Sequence, residues 1–570
     1  MGISGLEKFC ISNKAIAQKI DIRDEIAKWR REHGDDPTII IDVKELVRVL
    51  GDRCSDHSFA RGLRLGGQFR KFNEILEYFF DEMKKAGANL LFVARLNEGR
   101  YRDFPNRWES STLYPNERLL YNLMQVCSKY GQVSVYYRLG KRSILSYARE
   151  HRNNVMALIT RNAPFLVYDI DFSLWCLCNV DFFELKIVKI CPKQMLQAIA
   201  LNSKQMQLVR AICKLDKSVK FRLLGKQCSK LAFLVERVKL LEFGENGFDL
   251  NGFPGSKDLT EEQRDEFEEK LNRVFAVNDY AADWNDDIYD GLILDLVNND
   301  ESFNLVLQFC KANLYFAYKS MNEKLTIQKD LLFIDIRRPG ALPFIDLVIS
   351  VTMKLCGIIF KDVEPDKQPK TRTVKLKRIF GEEAVEYEVD IEYPTMALPS
   401  LKELLIEEED KSFDLSRLSL LMWLLDLSEE TMSKINSSKK QMRIVLLTLN
   451  LLLTHRIITT HEADILLLTE FDGHSKGNVY VPKSFRPPPS KPNWRDSGHV
   501  DISWIQTVHK YTITYELVCH CLELCGLRKK TDLIEMDAGK FHDNMNQVKD
   551  GNNNEQFERM MASIKDIRLW

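Results

Sequence analysis

The sequence predicts an α/β N-terminal module with a mostly parallel sheet, followed by a mainly α-helical region with one β-hairpin. Two observations carry that expectation. Over roughly the first 240 residues, short apolar runs alternate with stretches whose apolar residues recur at three and four. That alternation reads as strands of a parallel sheet joined by covering helices. From about residue 290 onward helical periodicity dominates, and only residues 374–380 and 384–393, on either side of Gly381, alternate with the period of a hairpin.

The elements follow in order. Strand-like runs occupy 38–41, 89–93, 133–137 and 165–168, with 185–190 behind them, and helical patterns cover 69–85, 117–130 and 143–160. In 69–85 the residues Phe69, Phe72, Leu76, Phe79, Phe80 and Met83 make one buried face. Gly, Asn, Pro and Ser cluster at 244–257 before a Glu-rich helix at 259–275, which marks a boundary. The chain therefore divides into a module at 1–240, an acidic linker and helix at 241–290, and a mostly helical domain at 291–480 with its hairpin near 374–393. A Pro-rich linker at 481–498 and a helical segment with a polar tail at 499–570 complete it. Residues 439–453 are almost continuously apolar, which predicts a helix buried on most sides, and 461–469 is its expected neighbour.

Composition limits the partners. The chain has 570 residues, 45% of them hydrophobic, and a formal net charge of -1. Nucleic-acid contact would have to come from a local patch, because the overall field is neutral. No stretch reaches the roughly 18 uninterrupted apolar residues of a membrane helix. Glu7 and Lys8 stand where a secretion signal would be apolar, and thirteen scattered cysteines suit reduced thiols. The expectation is a protein of the cytoplasm or nucleus with no membrane partner.

The chemistry centres on carboxylates at strand ends. Ile39-Ile40-Ile41 ends in Asp42, and Pro164-Phe165-Leu166-Val167-Tyr168 ends in Asp169-Ile170-Asp171. Ligands of open α/β sheets bind outside the carboxyl ends of the strands, so these acids are candidates for one cation-binding rim. With the opening Met1-Gly2-Ile3-Ser4-Gly5-Leu6, the pattern resembles the flap endonuclease/XPG (PIN-like) superfamily. The stretches Leu65-Gly66-Gly67-Gln68-Phe69, 91–99 and 168–176 resemble its degenerate branch, the Asteroid and constitutive coactivator of PPAR-gamma-like proteins.

That resemblance implies a two-metal site of about seven carboxylates. It maps Asp42, Glu150, Asp169 and Asp171 onto acid positions, with Mg²⁺ or Mn²⁺ bound only if hydrolysis survives. Three further positions are lost, occupied by Arg95 (or, with a shift, Asn97), Ala148 and Gln227. No catalytic residue and no resident cofactor are then expected. The function implied is an adaptor binding RNA or protein partners in post-transcriptional or gene regulation. Two alternatives stand beside it: a metal-dependent structure-specific nuclease with a reduced site, and a protein-only scaffold built on the helical half, where protein partners are expected to dock.

Each residue has a plainer reading. Asp42 and Asp169 are good helix N-caps, and Glu150 is a solvated helix charge. Cys176 with Cys178 reads as a packing pair because no partner pair stands at zinc spacing; Cys519-His520-Cys521 with Cys525 looks ligand-like, but on a helix Cys521 and Cys525 share a face that His520 does not, which favours packing. The stretch containing Arg100, Tyr101, Arg102, Arg107 and Trp108 mixes guanidinium groups with rings, which suits phosphate contact and base stacking on single strands. Its plainer reading is an exposed loop.

Overall fold

In the computed structural model the described residues are chiefly 6–50, 67–95, 116–136, 154–214, 231–268, 326–330, 341–400, 413–475, 501–527, 533–549 and 562–570, with short gaps inside these spans and a few isolated residues between them. Strands β1 (Ala17–Asp21), β2 (Thr38–Asp42), β3 (Asn89–Arg95), β4 (Gln132–Tyr136), β5 (Val155–Thr160), β6 (Ser173–Asp181) and β7 (Lys186–Ile190) form one mixed sheet in the order β1-β7-β6-β5-β2-β3-β4. β2 pairs in parallel with β3 and β5, and β5 with β6, while β7 runs antiparallel to β6 and β1 antiparallel to β7. Ile39, Ile40 and Ile41 of β2 and every residue of β5 are buried, as expected for parallel strands covered on both faces.

Helices α1 (Leu6–Ser12), α2 (Ile22–His33), α3 (Phe69–Lys85), α4 (Asn116–Tyr130), α5 (Pro192–Ile199), α6 (Ser203–Lys214) and α7 (Leu231–Lys239) accompany these strands in sequence. Local chemistry sets the ends of α2. The Asp21 carboxylate accepts the Arg23 backbone N–H at 2.9 Å, and Gly34 closes the helix in the left-handed region at φ 83°. Farther on, the end of α3 packs through its rings. Phe79 meets Phe182 edge-on at 5.1 Å, and Phe80 meets Phe92 at 4.8 Å. Each such buried ring contributes about 1.5–3 kcal/mol.

The chain divides into two compact units that are not contiguous in sequence: Met1–Val49, Phe79–Arg95 and Arg138–Ile288 in one, Leu50–Tyr78, Leu96–Tyr137 and Tyr289–Trp570 in the other. Residues 50–78 and 96–137, which the sequence pattern places with the first module, group with the second unit.

The second unit holds α8 (Leu342–Phe360), α9 (Asp414–Leu424), α10 (Glu429–Ser437), α11 (Arg443–Thr454), α12 (Thr460–Ser475), α13 (Ile502–Leu524) and α14 (Ala538–Lys549). α11 is central, packed against α10, α12 and α13, with Val445, Leu446, Leu447, Leu449 and Leu452 wholly buried. Buried threonines satisfy their hydroxyls along their own helices, as Thr448 Oγ1 does on the Ile444 carbonyl at 2.7 Å.

α8 is long and apolar enough to cross a membrane by length and composition, yet 72% of its most apolar window is buried inside the fold. Its Lys354 is 6% exposed and bonds Asp426 at 2.6 Å. At Gly357 the backbone of Glu392 approaches so closely that a Cβ would have no room. The hairpin appears as β9 (Thr371–Lys377) and β10 (Val385–Asp390), and β8 (Thr326–Asp330) adds an unforeseen parallel third strand on β9.

Several expectations need correction. Residues 155–160 form strand β5 at the end of the stretch whose pattern predicts one helix over 143–160; helix is seen there at Ile144, Leu145 and Ala148. A short continuous apolar run carries no period that separates a buried strand from a buried helix. Phe165 and Leu166 make a single 3₁₀ turn in place of the expected strand, and the true strand, β6, begins only at Ser173. β1 is a strand the sequence does not announce, since its mostly unburied pattern (17–21) lacks an apolar face. The Pro-rich linker at 481–498 and the Asn-rich tail at 552–554 lie outside the described residues.

Candidate functional site

The sheet has a topological switch point between β2 and β5. From β2 the chain moves outward through β3 and β4, then returns to β5 on the other side of β2. Divergent connections leave a crevice at the carboxyl ends of such a strand pair, where open α/β sheets bind ligands. Because Ile41 pairs with Ile159, the next residues along, Asp42 and Thr160, end their strands side by side. The Thr160 hydroxyl donates to Asp42 Oδ2 at 3.0 Å. Asp42 is fully buried and Thr160 is 3% exposed.

Glu45 follows in the first turn of the helix after β2 and is also buried. Among the described residues of the first unit, Asp42 and Glu45 are the buried carboxylates. A carboxylate taken out of water needs partners, and here a neighbouring strand end supplies a neutral hydroxyl.

One other expected member of the rim, Asp171, falls elsewhere. Asp171 does not join Asp42. In the β5–β6 register Thr160 lies beside Cys176 and Ala157 beside Ser173, so Asp171 precedes β6 at the opposite edge of the sheet. Along the chain it comes five positions before Cys176, the residue level with Thr160. There Asp171 bonds Lys193 at 2.6 Å, with both side chains more than half exposed.

Ala148 is helical and buried. Arg95 ends β3, two residues beyond the Val93 that pairs with Asp42, and so comes to the same carboxyl edge. Glu150, Asp169 and Gln227 lie outside the described residues, as do Arg100, Tyr101, Arg102, Arg107 and Trp108.

Among the described residues no group of three or more His, Cys, Asp or Glu could hold a metal ion. A two-metal site draws carboxylates from several strand and helix ends. Of the four acids expected there, Asp42, engaged by Thr160, and Asp171 are described, and they stand apart. The cysteines behave as packing groups: Cys525 is fully buried, and burial pushes its thiol well above the ordinary range.

A second feature is electrostatic. Residues 186–239 contain thirteen Lys or Arg and only two Asp or Glu, a net charge of about +11 in a chain whose total is -1. The stretch spans β7, α5, α6 and α7, and none of these three helices has an acidic residue in its first turn. Lys204 is exposed, Lys239 pairs with its neighbour Glu236, and Arg237 lies over the Phe233 ring at 5.1 Å. A windowed charge count finds this stretch; the whole-chain charge conceals it. No protein-family model matches the chain, and no curated protein matches it.

Proposed function

We propose that this chain is a catalytically degenerate nuclease-like adaptor that binds RNA through phosphate contacts along residues 186–239. The observation that carries the RNA reading is the charge of that stretch, about +11 over fifty-four residues. Phosphate neutralisation by Lys and Arg supplies most sequence-independent affinity for nucleic acid. The exposed ion pairs there, such as Lys193 with Asp171 and Lys186 with Glu184, are weak in water and yield readily to a polyanion. Loss of catalysis is supported by the switch point, where Asp42 is buried under a threonine hydroxyl and Asp171 stands at the other edge.

Two assays test this. With Mg²⁺ or Mn²⁺ the purified chain leaves flap, single-stranded and duplex substrates intact; metal-dependent cleavage that disappears in both Asp42→Asn and Asp169→Ala would overturn the degenerate reading. In fluorescence anisotropy on a single-stranded RNA, affinity falls steeply with salt. Lys193→Glu with Lys204→Glu and Lys239→Glu weakens binding and lowers the salt slope by roughly 0.7 for each phosphate no longer neutralised. Replacing Arg100, Arg102 and Arg107 by Ala asks separately whether that loop contributes. Wild-type protein that ignores RNA at low salt would point instead to a protein-only scaffold.

A further inference from the structure

Within the second unit, a buried carboxylate in the middle of α12 fastens the segment that joins α13 to α14. Glu470 is 0% exposed. Its Oε1 accepts the Tyr511 hydroxyl of α13 at 2.9 Å, and its Oε2 accepts the Glu535 backbone N–H at 3.0 Å. Glu535 lies in an extended strap, residues 533–537, whose Leu533, Ile534 and Met536 are buried.

The other edge of the strap is pinned by neutral bonds. Asn73 Nδ2 donates to the Ile534 carbonyl at 3.1 Å, the Phe69 N–H to the Met536 carbonyl at 3.1 Å, and the Ala538 N–H to the Gly67 carbonyl at 3.0 Å. Asn73 is itself held by Asn122 at 2.7 Å.

Negative charge is in excess around the strap. Glu535 faces Glu470 of α12 and Glu74 and Glu77 of α3, with Arg70 as the opposing cation. Arg70 is already bonded to Glu74 at 2.9 Å, and Lys129 of α4 is bonded to Glu77 at 2.6 Å. On the α13 side Tyr511, which has Glu470, Tyr515 and Cys519 as electrostatic neighbours, is held protonated chiefly by burial. On α14, His542 stacks edge-on against Trp504, with ring centres 5.6 Å apart, and Asp537 caps the helix through the Lys540 N–H at 3.0 Å.

We propose that Glu470 and Glu535 form a proton-operated latch, closed on the strap while the pair retains a proton and opened when both carboxyls ionise. The buried Glu470 carboxyl touches the strap at the Glu535 backbone N–H, and the Glu535 side chain stands among more acids than cations. Burial raises Glu470 to about 7, and burial followed by the charge of Glu470 raises Glu535 to about 8.

The sign follows from proton uptake. Both closed-state values lie above those of free carboxyls, so closing binds protons and opening is favoured as pH rises. The opening constant grows by up to roughly tenfold per pH unit for each group still protonated in the closed state, and levels off above about pH 8.

Hydrogen exchange on peptides spanning 529–545 of the full chain, corrected for intrinsic chemistry, reads the latch directly. Between pH 6 and 8 protection of the strap should fall at least about tenfold, while peptides within α8 keep theirs. Glu470→Gln and Glu535→Gln, which mimic the protonated groups and avoid leaving a cavity, each flatten the dependence, and the double variant removes it. Strap protection that does not change with pH, or that keeps its pH dependence in the double variant, would overturn the latch.

Discussion

Asp42 in the sheet unit and Glu470 in the helical unit are both fully buried carboxylates, and they are placed by different physics. Asp42 ends a strand, and its partner Thr160 ends the next strand in register, so backbone pairing alone sets the two side by side. Glu470 sits mid-helix, and its partners come from α13 and from a strap 65 residues away in sequence. Ladder geometry creates the first site; helix packing creates the second. The units also differ in how protons act on them. At the edge of the sheet unit, Asp21 is held below the usual carboxylate range, chiefly by the Arg23 side chain. In the helical unit burial holds Glu470 and Glu535 well above it.

The largest expected effect tests whether packing makes the second site the more demanding. Glu470→Ala strands the Tyr511 hydroxyl and the Glu535 N–H and leaves a cavity, a loss of about 3–5 kcal/mol. Asp42→Ala strands the Thr160 hydroxyl and costs about 1–3 kcal/mol. Hydrogen exchange in α12–α13 peptides and in β2–β5 peptides measures the two locally, and equal losses would erase the distinction.

Next comes the pH response. A carboxyl raised from about 4.5 to about 7 contributes fully below pH 4.5 and loses that contribution as pH rises through 7, close to 3 kcal/mol for Glu470. Asp21 has the opposite sign: its contribution is present above its unfolded value and is lost as pH falls through its lowered folded one. Unfolding followed from pH 3 to 8.5 should show the helical unit weakening toward neutrality and the sheet unit weakening in acid. A common profile for both would contradict the comparison.

Removing only the hydroxyl donors is a gentler probe. Thr160→Val and Tyr511→Phe each remove one bond to a buried carboxylate, for about 1.5–3 kcal/mol. Tyr511→Phe should also raise the apparent titration of Glu470, because that hydroxyl lowers it. An unshifted pH midpoint would show that the Tyr511 bond does not tune the group. The smallest effect belongs to Asp21→Ala, which removes the cap of α2 for about 1 kcal/mol. Its cost should shrink as pH falls through the lowered folded value of Asp21, and a cost independent of pH would mean the side chain acts by packing.

Parts of this architecture are legible from residues alone. The 69–85 periodicity gives α3 with its observed limits, and Ile39-Ile40-Ile41 gives β2 with Asp42 at its end. The run 439–453 gives the central helix, with a 3₁₀ turn at Lys440–Met442 before it. Less of the site can be read. Asp42 stands out at its strand end, but the pattern puts Thr160 in a helix and gives Glu45 no prominence, because an apolar run such as 155–159 fits a buried strand and a buried helix equally well. The basic stretch 186–239 is readable in the sequence and is hidden only by averaging over the whole chain.

The sequence by itself determined where apolar faces, strand ends and caps fall, because these depend on neighbours three or four residues apart. Residues Phe72, Leu76, Phe79 and Phe80 share a helix face whatever packs on them, and Asp21 caps whatever helix begins at Ile22. Which acids meet was decided by tertiary structure. Asp171 follows an apolar run much as Asp42 does, yet the pairing of β6 with β5 starts at Ser173 and puts it at the other end of the sheet. Glu470 lies in a stretch, Ile465-Leu466-Leu467-Leu468-Thr469-Glu470, with no local sign that its carboxylate would be buried against a distant strap. Register and helix packing join residues far apart in the chain, and no local pattern encodes which of them will face each other.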